Sequence, residues 1–318
     1  MGQAWTCEPH VKDVDQDLAQ VKLLFRDIDP NLRKAWLSYW TDKSNEAGLG
    51  SLKEEEQNVV LQNVQVMPVG DIFNLNTSKG DKDEHGDGLI HADAIVSPAN
   101  SFGFMDGGID MVYSKHFGWD MVERLQQVIK HEFDGELLVG QATIVETGDK
   151  RQAIKYLVSA PTMRVPDDVR ETPNAYLAFR ATLLAVREHN KQVSSGQKEG
   201  TPIGSILCCG LGTAIGRMPA ETCALQMLRA YENVVLGKIF PHSSLAGFQH
   251  EHSDIIRSRP FPRASSSFGF PGRKKQTNKP QQQSARRIEE KKAEEEEKEE
   301  EESEEEEETK DVSHDESK

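Results

Sequence analysis

Long apolar runs are absent from this 318-residue sequence: no stretch approaches the roughly 20 residues that span a bilayer. No short apolar core follows a basic start in the manner of a signal peptide either. Cysteine is scarce. The four thiols, Cys7, Cys208, Cys209 and Cys223, show no spacing to one another or to histidine that suits a metal. That sets aside a zinc site and a disulfide framework, and leaves the expectation of reduced, buried thiols in a cytoplasmic or nuclear protein. Neither G-x-G-x-x-G nor G-x-x-x-x-G-K-[ST] occurs, which removes the ordinary dinucleotide and P-loop readings. Apolar content is only 36%, below a typical globular average, so part of the chain is not expected to fold.

Charge locates that part. From Arg286 to Lys318 there are 18 acidic against 7 basic residues, most of the net charge of −15. The remainder is mildly acidic, and no direct nucleic-acid site is evident in it. Residues 241–318 read as a disordered tail, first basic through "GRKKQTNKPQQQSARR" and then Glu-rich, with no apolar seam for a coiled coil. Its acidic run suits basic partners. The cluster Arg273, Lys274, Lys275 fits either an import signal or a soluble linker. The opening "MGQAWT" fits the myristoylation pattern of Gly2 followed by Thr6, a match short enough to arise by chance.

What is present is an alternation of strands and helices. In "DPNLRKAWLSYWTD" Asp29 is placed to cap, Pro30 to open the helix, and Leu32, Ala35, Trp36, Tyr39 and Trp40 to share a face. Residues 1–58 therefore read as a helical extension packed on a domain spanning 59–240. "NVQVMPVGDIFNL" reads as a strand running into a loop, and "NTSKGDKDEHGDG" as an unstructured polar insertion. From His91 onward, "ADAIVS", "QATIVET", "KYLVSAP" and "IGSILCC" read as strands. "MVERLQQVIKHEF", "NAYLAFRATLLAVREHN" and "AETCALQMLRAYENVV" read as helices. This order predicts a layered α/β domain with a largely parallel sheet.

Two strand-to-helix loops are rich in glycine, "SFGFMDGGID" and "GLGTAIGRMP". Both open into helix N-termini, which favour anions, and both allow close approach to backbone N–H groups. Two such loops at one sheet edge suggest a diphosphate site. Together with Gly70-Asp71-Ile72, "DAIVSPAN" (Asp93 to Asn100) and "GTAIGRMP" (Gly212 to Pro219), they resemble the macro domain family of ADP-ribose-binding modules. The likeness covers roughly residues 60 to 240 and implies a three-layer α/β/α sandwich with a mixed, largely parallel sheet.

Carried over residue by residue, the resemblance implies that Asp71 accepts from the adenine amine, with Ile72 beside the ring. It implies that Asn100 bonds the distal ribose, and that Gly107, Gly108 and Ile109 offer N–H groups around that ribose and the diphosphate. Gly212, Thr213, Ala214, Ile215 and Gly216 would cradle the phosphates from the other side. Asp110 matches the aspartate of MacroD-type hydrolases, so Asn100 and Asp110 are the candidate catalytic pair. The sequence also departs from the family: Ser97 replaces the first asparagine of its "NAAN", and Gly216-Arg217 stand where "Tyr-Gly" is usual. Arg217 is thus a candidate phosphate contact. Plainer roles compete, with Asn100 as a loop brace and Asp110 as a helix N-cap. Nothing in the sequence calls for a metal or redox cofactor. The implied ligand is ADP-ribose or an ADP-ribosylated protein, and the implied function either hydrolysis of ADP-ribosyl derivatives or their non-catalytic recognition.

Overall fold

The strands are short apolar runs, and the parity of their side chains decides which helices cover them. The computed structural model describes residues 10–75, 88–239 and 242–256. In chain order these form β1 (Lys22–Phe25), α1 (Pro30–Thr41), α2 (Glu54–Asn63), β2 (Val64–Val66), β3 (Ala92–Ser97), α3 (Gly108–Phe117) and α4 (Trp119–Glu132). Then follow β4 (Thr143–Glu146), β5 (Ile154–Ser159), α5 (Asn174–Ser194), β6 (Ser205–Cys208), α6 (Ala220–Val234) and α7 (Leu245–Ile256). The strands join in the order β2-β1-β6-β3-β5-β4, all parallel except β4, which runs antiparallel to β5.

Alternate residues of each strand face opposite sides. Ala94, Val96, Val158 and Cys208 pack with α1, α5 and α6, whereas Ile95, Leu157 and Leu207 pack with α3 and α4. The result is a three-layer α/β/α sandwich with a mixed, largely parallel sheet. The α1 helix forms as its sequence implies: Asp29 accepts from Asn31 N at 2.9 Å, Pro30 opens the helix, and the five residues of the expected face are buried. Phe25 stacks on Trp36, and Trp40 Nε1 donates to Ala224 O on α6 at 3.0 Å.

Two boundaries differ from expectation. Residues 1–58 are not only a helical extension, because β1 lies inside the sheet between β2 and β6, and Trp36 and Trp40 sit in the same core as Phe179 and Tyr231. The four residues "KLLF" are too short to show a period, so the helical pattern that follows them dominates the reading. The expected tail likewise begins with structure. Within it α7 is a helix whose Ile255 is buried, with Ile255 O accepting from Gln226 Nε2 at 3.0 Å. Gly2, Cys7, most of the polar insertion, the basic cluster and the Glu-rich run lie outside the described residues. Among the described residues no helix is long and apolar enough to cross a membrane, and no group of His, Cys, Asp and Glu could hold a metal ion.

Candidate functional site

Five parallel strands end at one edge of the sheet, so the loops leaving β1, β2, β3, β5 and β6 gather there. The segment after β5 ties two of them together. It bonds to the loop after β3 through Ala160 N to Ser97 O (3.0 Å), Thr162 N to Ala99 O (3.1 Å) and Ser101 N to Arg164 O (3.1 Å). It bonds to the loop after β6 through Val169 N to Gly216 O at 2.9 Å. The two glycine loops also meet directly: a methyl group placed on Gly108, whose φ is +55°, would lie 3.8 Å from Ile215 Cδ1. Gly107, Gly108 and Ile109 are thus brought against the Gly212–Gly216 turn.

In the first loop Asn100 is braced by its own backbone. Its amide donates to Phe104 O at 2.7 Å and accepts from Phe102 N and Phe104 N. In the second, Ala214 and Ile215 form the exposed crest beside the half-buried Thr213, and Arg217 N closes the turn on Ala214 O. Arg217 has φ +54°, unusual for a residue with a side chain, and lies 3.8 Å from Asp168. Hydrogen bonds from Arg170 hold the Asp168 carboxyl well below the usual carboxylate range.

A third loop, after β2, carries Asp71. Its Oδ1 accepts from Phe73 N, Asn74 N and Asn74 Nδ2, so this oxygen shapes its own turn. Ile72 is buried in the α3/α4 core, and Phe73 stacks on His116 at 3.5 Å. What places this loop is Arg26, the residue that follows β1. Fully buried, it donates to Asp71 O at 2.5 Å, Pro68 O at 3.0 Å and Asn74 O at 2.6 Å. Burial lowers its pKa, and Asp71 nearby opposes that. Beside it, Asp27 accepts from Gly210 N at 3.0 Å and so anchors the base of the second glycine loop. Sequence reading missed both residues. Their one signal was a pair of charges set directly after an apolar strand.

Asp110 is the third residue of α3, whose N-cap is Gly107; it does not cap the helix. Its carboxyl instead turns toward the sheet, where Oδ1 accepts from Ser97 Oγ at 2.6 Å. The residue is half-buried but its carboxyl is enclosed, and burial pushes its pKa up to about 6, with the Ser97 hydrogen bond opposing. A carboxyl poised near neutrality at a loop-lined sheet edge is equipped to take or give a proton.

A cavity of about 470 Å³ lies elsewhere, lined by residues of α5, α6 and α7 among others and by none of the three loops. Much of its charged lining is paired within it: Glu232 with Arg229 and Lys238, His242 with Glu251, and His250 with Asp254. The sheet edge, where the glycine loops and Asp110 converge, is therefore the better candidate.

A mixed sheet between two helical layers, with glycine loops gathered at one edge, defines an α/β module of the three-layer class. The Macro domain family model matches residues 96–227. An uncharacterized protein of Aquifex aeolicus (strain VF5) is 32% identical over 154 residues, which cover 47% of this chain and 81% of that protein. The chain belongs to the macro domain family. Among solved structures, the macrodomain of Mycobacterium tuberculosis DarG is 18% identical, covering 52% of this chain and 93% of that one, with a TM-score of 0.36. The Oceanobacillus iheyensis macrodomain with ADP is 20% identical, covering 46% and 77%, with a TM-score of 0.33.

Proposed function

We propose that this chain binds ADP-ribose along the loop-lined edge of its sheet and hydrolyses ADP-ribosyl derivatives, either mono-ADP-ribosylated protein or small esters and phosphates of ADP-ribose. The observation that carries the reading is the enclosed carboxyl of Asp110, held near neutrality beside two converging glycine loops. In this reading the loops take the diphosphate on backbone N–H groups, and Asp71 bonds the adenine amine. Water attacks the anomeric carbon of the distal ribose. Asp110 accepts its proton as the bond from that carbon to the substrate oxygen breaks, and the leaving carboxylate departs with the bonding pair.

One observation favours a second reading, a non-catalytic reader of ADP-ribosylated proteins whose tail recruits partners. The Asn100 amide is already taken up by its own loop, which leaves it less free to fix a ribose. The two readings separate in one experiment. ADP-ribose binding is measured by calorimetry, and ADP-ribose release from a mono-ADP-ribosylated glutamate substrate is followed for wild type and Asp110→Ala. The hydrolase reading expects turnover to fall by ~10²-fold or more while product affinity changes far less. Binding without wild-type turnover assigns the reader; turnover that survives the substitution removes Asp110 from the mechanism.

A further inference from the structure

We propose that Ser97 is a positioning residue for Asp110: its hydroxyl fixes the carboxyl in one orientation and sets the pH range over which it works as a base. The inference rests on the hydrolase reading above for its functional consequence, but its physical core stands without it. Strand parity aims the side chain. Ile95 faces the α3/α4 layer, so Ser97, two residues on, faces the same way at the point where β3 ends beneath the first turn of α3. There Ser97 is fully buried and donates to Asp110 Oδ1 at 2.6 Å, the short distance of a bond to an ionised acceptor. The hydroxyl hydrogen has this one carboxyl oxygen to serve, and the bond favours the charged form against the burial that disfavours it.

The ionisable surroundings leave Asp110 as the group that titrates here near neutrality. Tyr113 on α3 donates to Val96 O, and Cys209 at the end of β6 lies 3.6 Å from the Tyr113 hydroxyl. Burial raises both groups, so both stay neutral at pH 7. Asp27, two residues past β1, acts on Cys209. Ser159 supplies an internal control. It pairs in register with Ser97 on the neighbouring strand and is equally buried, yet its hydroxyl has no hydrogen-bond partner among the described residues.

The test is the pH titration of the Asp110 carboxyl carbon by NMR in wild type, Ser97→Ala and Ser159→Ala, with a thermal transition recorded for each. Loss of a hydrogen bond to a charged group should raise the Ser97→Ala midpoint by about one to two pH units. Ser159→Ala removes a hydroxyl from the same face and should leave the midpoint in place. Ser97→Thr, which keeps the hydroxyl, should return it toward wild type. In the enzyme the acid limb of the pH–rate profile should move with the midpoint. A folded Ser97→Ala protein with an unchanged midpoint overturns the proposal, as does an equal shift in Ser159→Ala. A wild type without turnover would sink the hydrolase reading, and the carboxyl titration would still decide the role of Ser97.

Discussion

The loops after β3 and β6 are both glycine-rich, yet their glycines serve different ends. In the first, side chains hold the backbone: Asn100 spans its loop and Ser97 reaches Asp110, while a methyl group on Gly107 would meet nothing within 4 Å. In the second, the backbone is held by contact. A methyl group on Gly216 would lie 2.5 Å from Gly212 O and 2.5 Å from Val169 Cγ2. The first loop thus opens at Gly107 onto unfilled space, although its Gly103 packs against Ile129, and the second is a packed turn whose exposed crest is Ala214 and Ile215. Glycine content alone does not separate a cradle from a tight corner; the neighbours of the missing Cβ do.

The first loop should reveal its cost through pH. Asp110 titrates near 3.8 when unfolded and at about 6 in the fold, so between those values the folded chain keeps a proton that the unfolded chain has released. Stability therefore falls as pH rises through that window, and above it the full penalty, about 3 kcal/mol, applies. The favourable field at the start of α3 is of the order of 1 kcal/mol or less and trims this figure. Asp110→Asn, which cannot ionise, should be more stable than wild type by up to about 3 kcal/mol at pH 8 and nearly equal to it at pH 4. Urea unfolding at the two pH values measures the difference. Equal stabilities at pH 8 would mean that the carboxyl is solvated after all.

The second loop should reveal its cost through sterics. Gly216→Ala forces a methyl into backbone and a packed valine, and overpacking of that kind costs about 1–3 kcal/mol. Gly107→Ala, at φ −142° and in open space, meets no clash and loses only the preference of the α3 N-cap for glycine, so it should cost about 1 kcal/mol or less. In the proposed reading it nonetheless weakens ADP-ribose, because the methyl occupies ligand space. Should Gly107→Ala destabilise as much as Gly216→Ala, the contrast between the loops fails.

Much of this was legible in the chain. The α1 face, the strands from β3 to β6 and both glycine loops follow local rules of capping, period and turn chemistry, and they stand where those rules put them. What escaped depends on partners distant in sequence. Arg26 shows no role until Pro68, Asp71 and Asn74, more than 40 residues away, supply its acceptors. Ser97 reads as a lost asparagine until strand parity and the first turn of α3 bring Asp110 above it. The α7 helix has its buried Ile255 and Gln226 contact in three dimensions only, so a window of composition passes over it.

The smallest expected effect lies at Arg217, where the two loops' logics meet. A residue with a Cβ at φ +54° carries about 1–2 kcal/mol of strain. Glycine would relieve it but would loosen the unfolded chain by about 0.5–1 kcal/mol. Arg217→Gly should therefore stabilise by about 1.5 kcal/mol at most. Arg217→Ala keeps the left-handed backbone and loses only an exposed contact to Asp168, which is worth little at a surface. The difference between the two variants in urea unfolding isolates the backbone strain from the ion pair. ADP-ribose affinity then asks a separate question of the same pair. If the guanidinium leaves Asp168 for a diphosphate, both variants lose affinity alike, although one is more stable than the other. Unchanged affinity in both would leave the second loop as a cradle of backbone N–H groups alone, with Arg217 serving only to close its turn.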